Sequence, residues 1–278
     1  PLLISHYWDG EASSAQKKLL DVLEARHGNA FESIRAYIGF RKSDFPEAGS
    51  DNNQRARSFL FYSLAILAAD AVGSTSKVLI PENGLIALNV PMEALRLGSL
   101  STRTAHPHFI QSISDLIGDL GIDATLENPY RFKTKGEMVA ECLDPDLLAG
   151  LSPMSMSCSH PAQVRFESAA PQHCGRCVPC LIRRASLNSG LKIPDTTEYF
   201  LDDLHSNTLD SKSADGKNIR SFLFAADNLR RSPERARYLV LKPGPLDRNE
   251  LDHYIDVYRR GMNEVSDLLK GVSSKHGG

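Results

Sequence analysis

The segment HCGRCVPC sets Cys174, Cys177 and Cys180 three positions apart, and Cys158 precedes them to complete the pattern C-x15-C-x2-C-x2-C. Two residues between cysteines let a tight turn aim both thiolates at one tetrahedral ion, and the third can lie on the first turn of a following helix. Disulfides or ordinary core thiols are the plainer explanation, but core cysteines do not cluster this way and a reducing compartment keeps thiols free. Any fold for this chain must therefore close residues 158–180 around a shared ion. Cys142, alone in a helical stretch, reads as a core thiol. Zinc is the expected metal. Iron–sulfur ligation stays open, because C-x2-C-x2-C also begins that signature, although there a fourth cysteine follows at once. A centre closed by four thiolates leaves no position for water, so zinc here would be structural. Four thiolates on zinc carry about two negative charges, which His173, Arg176, Arg183 and Arg184 can offset; solvated surface is the alternative reading of the arginines.

Ahead of the cysteines, strand and helix signals alternate. Residues 1–6 read as a short strand, 15–27 as a helix stopped by Gly28, 34–38 as a strand and 54–72 as the clearest helix, with Gly73 as its stop. A strand at 77–81, a helix at 108–121, a strand at 122–128 and a helix at 135–151 follow. This rhythm predicts a parallel α/β sheet, whose ligands bind at the carboxyl ends of the strands, where the loops SHYW, PENG and NPYRFKTKGE fall. Residues 1–150 thus read as an α/β domain, 151–190 as a zinc element and 191–278 as a helical C-terminal region with helices near 216–229 and 248–269.

Charge and hydropathy narrow the function classes. A net charge of -2 gives no global basic field for nucleic acid. No stretch approaches the roughly 18–20 apolar residues of a membrane span and no signal-peptide pattern opens the chain, so a cytoplasmic protein without membrane partners is expected. The chain opens on Pro1 with no methionine before Met92, which reads as a fragment or a processed chain.

Several stretches carry a resemblance: SHYWDG, QRARSFLFYSLAILAADAVG, IPENGLIALNVP, GSLSTRTAHPHF, NPYRFKTKGEM, and SCSHP with HCGRCVPC. Together, over about residues 1–190, they resemble the QueC family, the 7-cyano-7-deazaguanine synthases, and more closely its QueC-like QatC group from antiphage defence cassettes. The resemblance implies the Rossmann-like fold of the PP-loop ATP pyrophosphatases (adenine nucleotide alpha hydrolase-like), and ATP with Mg2+ as cofactor. The family's Ser-Gly-Gly-x-Asp-Ser loop, carried on a strand in the middle of its sheet, has no counterpart here, so the first strand of this chain matches the family's second. This fragment alone is therefore expected to be inactive.

The implied chemistry is adenylation of 7-carboxy-7-deazaguanine followed by attack of a nitrogen nucleophile, either ammonia or an amine on a partner protein. Lys135 is the expected phosphate contact and Arg103 an anion clamp on the substrate loop; both are expected catalytic residues. Arg57, Glu82, Asn83, Gly84 and Lys135 are the expected nucleotide contacts, with a solvated lysine and a plain turn as the bland readings of Lys135 and of residues 82–84. His106 is equally readable as structural. The cluster Arg230, Arg231, Arg235 and Arg237 is readable as a surface for an acidic partner or as a solvated helix end, and residues 194–278 as a separable docking segment for the acceptor protein. A homodimer is also compatible with the resemblance. Two rivals remain open, a tRNA-thiolating PP-loop enzyme and a non-catalytic zinc-ribbon binding module.

Overall fold

A computed structural model of the chain describes residues 1–7, 10–39, 42–44, 46–47, 57–73, 76–92, 104–159, 172–205, 209–210 and 214–275. It is a mixed α/β protein with short parallel strand pairs. Strand β1 (Leu2–His6) runs parallel to β2 (Glu32–Ala36), Leu2 opposite Glu32 and His6 opposite Ala36, with helix α1 (Glu11–His27) between them. Helix α2 (Arg57–Val72) leads to β3 (Ser76–Leu79), then come α3 (Gly84–Leu88), α4 (Pro107–Asp119) and β4 (Ala124–Glu127). β3 and β4 are again parallel, Ser76 opposite Ala124 and Leu79 opposite Glu127.

The single sheet expected from the alternation is not formed among the described residues: β1–β2 and β3–β4 are separate two-stranded units. Helix α2 packs against β1, β3 and β4 and so spans both. Its Tyr62 and Ile66 make a small core with Ile113 and Ile117 of α4, under Ile80 and Leu126. Parallel strands are ordinarily covered on both faces, yet Leu3, Ile34 and Leu79 are exposed here, as are Phe59 and Leu67 of α2.

The expected helix over 135–151 is two, α5 (Lys135–Ala140) and α6 (Pro145–Leu151). Pro145 has no amide hydrogen to continue the first helix, and Asp144 starts the second by accepting from the Leu147 amide at 3.0 Å. Helix α7 (Val178–Gly190) follows the cysteines, and the chain ends with β5 (Leu209–Asp210), α8 (Ala214–Arg231), α9 (Arg235–Leu241), α10 (Leu251–Leu268) and β6 (Ser274–Lys275), with β5 parallel to β6.

Helix α10 is the hub. Leu251, Tyr254, Ile255, Tyr258, Met262 and Val265 recur at helical spacing and are buried against α3, α7, α8 and α9. Gly261 lets α10 approach α3 closely, since a Cβ there would lie 3.0 Å from Cβ of Leu85. The main core draws Leu85 and Leu88 from α3, Leu181 and Ala185 from α7, and Ile219, Phe222, Val240 and Val257 from the C-terminal helices. The main core thus joins α3 from the stretch read as 1–150 and α7 from 151–190 to the C-terminal helices, while α2 and α4 keep a small core of their own.

Candidate functional site

The four cysteines come together. Cys174 follows His173, which bridges to Tyr199; Cys177 caps α7; and Cys180 lies on its first turn. All four sulfurs fall within 4.8 Å of one another and none is disulfide-bonded. Sγ of Cys174 is 3.9 Å from that of Cys180, and Sγ of Cys177 is 4.0 Å from that of Cys158. A tetrahedral zinc with bonds of about 2.3 Å sets its sulfurs about 3.8 Å apart, so the donor set fits that ion. The turn that delivers them needs Gly175, whose φ of +75° is left-handed and whose added Cβ would lie 2.5 Å from the Leu201 carbonyl oxygen. Backbone amides of Cys174 and Cys177 point at Sγ of Cys158 and of Cys174, at 3.4 and 3.3 Å.

Four thiols packed so tightly cannot all ionise without a cation. Hydrogen bonds from Cys158, Cys177 and Cys180 pull the Cys174 thiol far below the ordinary range, while contacts with Cys158 and Cys174, then burial, push Cys177 and Cys180 up. A divalent ion removes the conflict by holding all four as thiolates. The arginines around the cluster are not solvated surface. Arg183 is 5% exposed and donates to Ser155 Oγ (2.7 Å), Thr197 Oγ1 (3.0 Å) and the Ser152 carbonyl. Arg184 donates to the carbonyls of Leu201 (2.7 Å) and Asp202 and lies 4.5 Å from the Tyr199 ring centre. Arg176 lies over Phe200. His173 donates from Nε2 to the Ser155 carbonyl at 2.9 Å, and burial lowers its pKa.

A second cluster stands at the carboxyl ends of β3 and β4. The β3 strand runs into Glu82 and Asn83, and Asn128, just past β4, donates from Nδ2 to the Glu82 carbonyl at 2.8 Å, tying the two loops together. Glu82 and Lys135 are electrostatic neighbours. Burial raises the Glu82 carboxyl pKa, partly opposed by Lys135, and burial lowers that of Lys135, partly opposed by Glu82 and reinforced by Arg183. Lys135 makes no salt bridge among the described residues, so this corner holds a half-buried ammonium whose charge is only partly answered. Tyr62 of α2 faces the same corner: its hydroxyl donates to the Thr104 carbonyl, and burial, then the Glu82 charge, raise its pKa.

Asn83 is buried; its Oδ1 caps α3 by accepting from the Ile86 amide at 3.1 Å and its Nδ2 donates to Glu82 Oε1 at 2.8 Å, so it shapes the turn. Gly84 permits close packing, since a Cβ would collide with the Arg131 carbonyl and approach Val257 to 2.8 Å. Arg57 is exposed at the start of α2, its guanidinium 5.3 Å from the Phe61 ring, which in turn lies 5.9 Å from the His6 ring. That contact puts Arg57 on the β1 side of α2. Arg103 lies outside the described residues. His106 is structural: it caps α4, with Nδ1 accepting from the His108 amide at 3.2 Å.

Two residues without a sequence signal complete the corner. Thr134 opens α5 with a capping box, and Glu264 of α10 holds that turn from outside, accepting from Thr134 Oγ1 and from the Gly136 amide at 3.2 Å. One turn earlier, Arg260 donates to Glu137 and to the Phe132 carbonyl at 2.9 Å. Lys135 is thus held between two contacts made by α10. No helix among the described residues is long and apolar enough to cross a membrane. No family model, curated protein or solved structure matches the chain.

Proposed function

We propose that this chain acts as an ATP-dependent carbon–nitrogen ligase of the QueC type, built on a PP-loop ATP pyrophosphatase sheet and braced by a structural zinc. The reading is carried by the meeting of Glu82 and Lys135 at the carboxyl ends of a parallel strand pair, the end at which such sheets hold ligands. The half-buried, unbridged ammonium suits a phosphate, whose charge would restore the protonation that burial disfavours. The strand pairing supports the sheet type. One further strand between β1 and β3 would join the two pairs that α2 already spans, and would bring a phosphate-cradling loop to this corner.

In this reading a carboxylate oxygen of 7-carboxy-7-deazaguanine attacks the α-phosphorus of ATP, the α–β bridging bond breaks and pyrophosphate leaves. A nitrogen nucleophile, ammonia or a protein amine, then attacks the acyl carbon and AMP departs. Lys135 holds phosphate charge, and Arg57 and Arg103 are the further anion contacts. Mg2+ arriving with the nucleotide would supply further neutralisation of phosphate charge. A zinc held by Cys158, Cys174, Cys177 and Cys180 would fix the start of α7, which packs on α5 and so on Lys135. Catalysis is positioning and charge neutralisation, without a covalent enzyme nucleophile.

The test uses protein purified from its native host, incubated with ATP, Mg2+, the deazapurine carboxylate and isotopically labelled ammonium. AMP formed only with the carboxylate supports the reading; the label in the product marks ammonia as acceptor, and its absence marks a protein amine. ATP left intact with every component present contradicts it.

A further inference from the structure

We infer that the cleft between α8 and α9 docks an acidic, amphipathic helical segment of a partner protein, an inference that stands apart from the ligase reading. The cleft has a volume of about 140 Å³ and is lined by Met92, Phe224 and Asn228 on one side and by Arg235, Leu239 and Lys242 on the other, over a floor that includes Tyr258. That volume is close to the roughly 150 Å³ that accepts a benzene ring, so it suits one phenylalanine or leucine side chain. Phe224, which lines the cleft, is 65% exposed, an unusual degree for a large apolar side chain beside a cleft, and Tyr238, against the lining Lys242, is 66% exposed.

Charge selects the occupant. Among the described residues no carboxylate lines the cleft and neither Arg235 nor Lys242 makes a salt bridge; Lys242 sits 4.7 Å from the Tyr238 ring centre. The other arginines nearby are occupied, Arg230 and Arg231 with Asp227 and Arg237 with Asp252. Of the arginine cluster singled out in the sequence, Arg235 alone makes no ion pair among the described residues, and it lines the cleft together with Lys242. The two cations are seven positions apart along α9 and its cap, about 10.5 Å at 1.5 Å per residue. Two carboxylates two turns apart on a partner helix have that spacing, with an apolar anchor midway on the same face to enter the cleft.

The probe is a fluorescein-labelled helical peptide with two glutamates two turns apart and a phenylalanine between them, followed by fluorescence anisotropy with the full chain. Saturable binding is expected, weakened about tenfold or more by R235E/K242E and by raised salt, and unaffected by the distant charge reversal Lys18→Glu. A peptide with lysines in place of both glutamates should bind the R235E/K242E protein and not the natural one. The inference is overturned by any of three results: no saturation up to about 1 mM, equal loss in Lys18→Glu and R235E/K242E, or tighter binding of a single-stranded oligonucleotide or of anionic phospholipid vesicles than of the peptide.

Discussion

Replacing Glu264 by alanine tests whether α10 holds the turn that carries Lys135. The carboxylate accepts from the Thr134 hydroxyl and the Gly136 amide, both buried. Alanine strands these two donors, at about 1–3 kcal/mol each. The loss falls toward the lower end, about 2–3 kcal/mol, because burial also strains the carboxylate itself, raising its pKa. With about 2–4 °C per kcal/mol for a chain of this size, the melting temperature should fall by about 5–10 °C. A raised folded-state pKa means that the folded protein binds more protons than the unfolded chain. The stability that Glu264 contributes is therefore complete below its ordinary value of 4.5 and declines as pH rises through the higher folded value. Glu264→Gln does not titrate and is the uncharged isostere of the protonated acid, so it should match the natural protein most closely in acid and gain on it as pH rises toward neutrality. Thermal unfolding followed by circular dichroism across this pH range gives both quantities, and hydrogen exchange at the Gly136 amide reports the turn itself. An alanine variant within about 0.5 kcal/mol of the natural protein, the range of ordinary surface changes, with Gly136 still protected, would refute the argument.

Three further outcomes follow from the same geometry. Cys174→Ser should lose the metal and cooperative folding together, whereas the natural protein should carry about one zinc per chain by elemental analysis; iron with labile sulfide would overturn the zinc assignment. Glu82→Gln removes the charge that supports protonation of Lys135, so the amine should titrate at lower pH and react faster with acetic anhydride at neutral pH, read by peptide mass spectrometry; slower labelling would contradict the pairing. Deleting residues 194–278 removes Ile219, Phe222, Val240, Tyr254, Val257, Tyr258 and Met262 from the core, about 10–20 kcal/mol at 1.5–3 kcal/mol per buried side chain. That exceeds the usual 5–15 kcal/mol of net stability, so the shortened chain should show no cooperative unfolding transition, and a sharp one would falsify the shared core.

Much of this was legible locally, because the signals were local. Thiol spacing fixed the metal donors, and the order Asp144–Pro145 could have divided α5 from α6, since a proline there can only begin a helix. The strand–helix rhythm gave the parallel pairs but not their separation, because strand order depends on contacts between distant segments. Helix α9 was missed: seven residues are too few for periodicity to be diagnostic. Asn83 and Gly84 read as ligand contacts because a polar pair before glycine looks alike whether it faces a nucleotide or caps a helix; in the structure Asn83 caps α3 through the Ile86 amide and Gly84 packs against Val257. Glu264 and Arg260 carried no motif at all. They lie on the polar side of an amphipathic helix more than a hundred positions from the turn they hold, and only the packing of α10 on α3, α5 and α7 brings them there.

The central claim is that the corner at Glu82 and Lys135 activates a carboxylate with ATP, and isotope exchange isolates that step from the acceptor. Protein from the native host is mixed with ATP, Mg2+ and labelled pyrophosphate, with and without 7-carboxy-7-deazaguanine and with no nitrogen nucleophile. Label should enter ATP only when the carboxylate is present, and Lys135→Ala should slow the exchange by the roughly 2–4 kcal/mol of one electrostatic contact. Exchange that ignores the carboxylate, or none in a folded, zinc-loaded protein, would contradict the account.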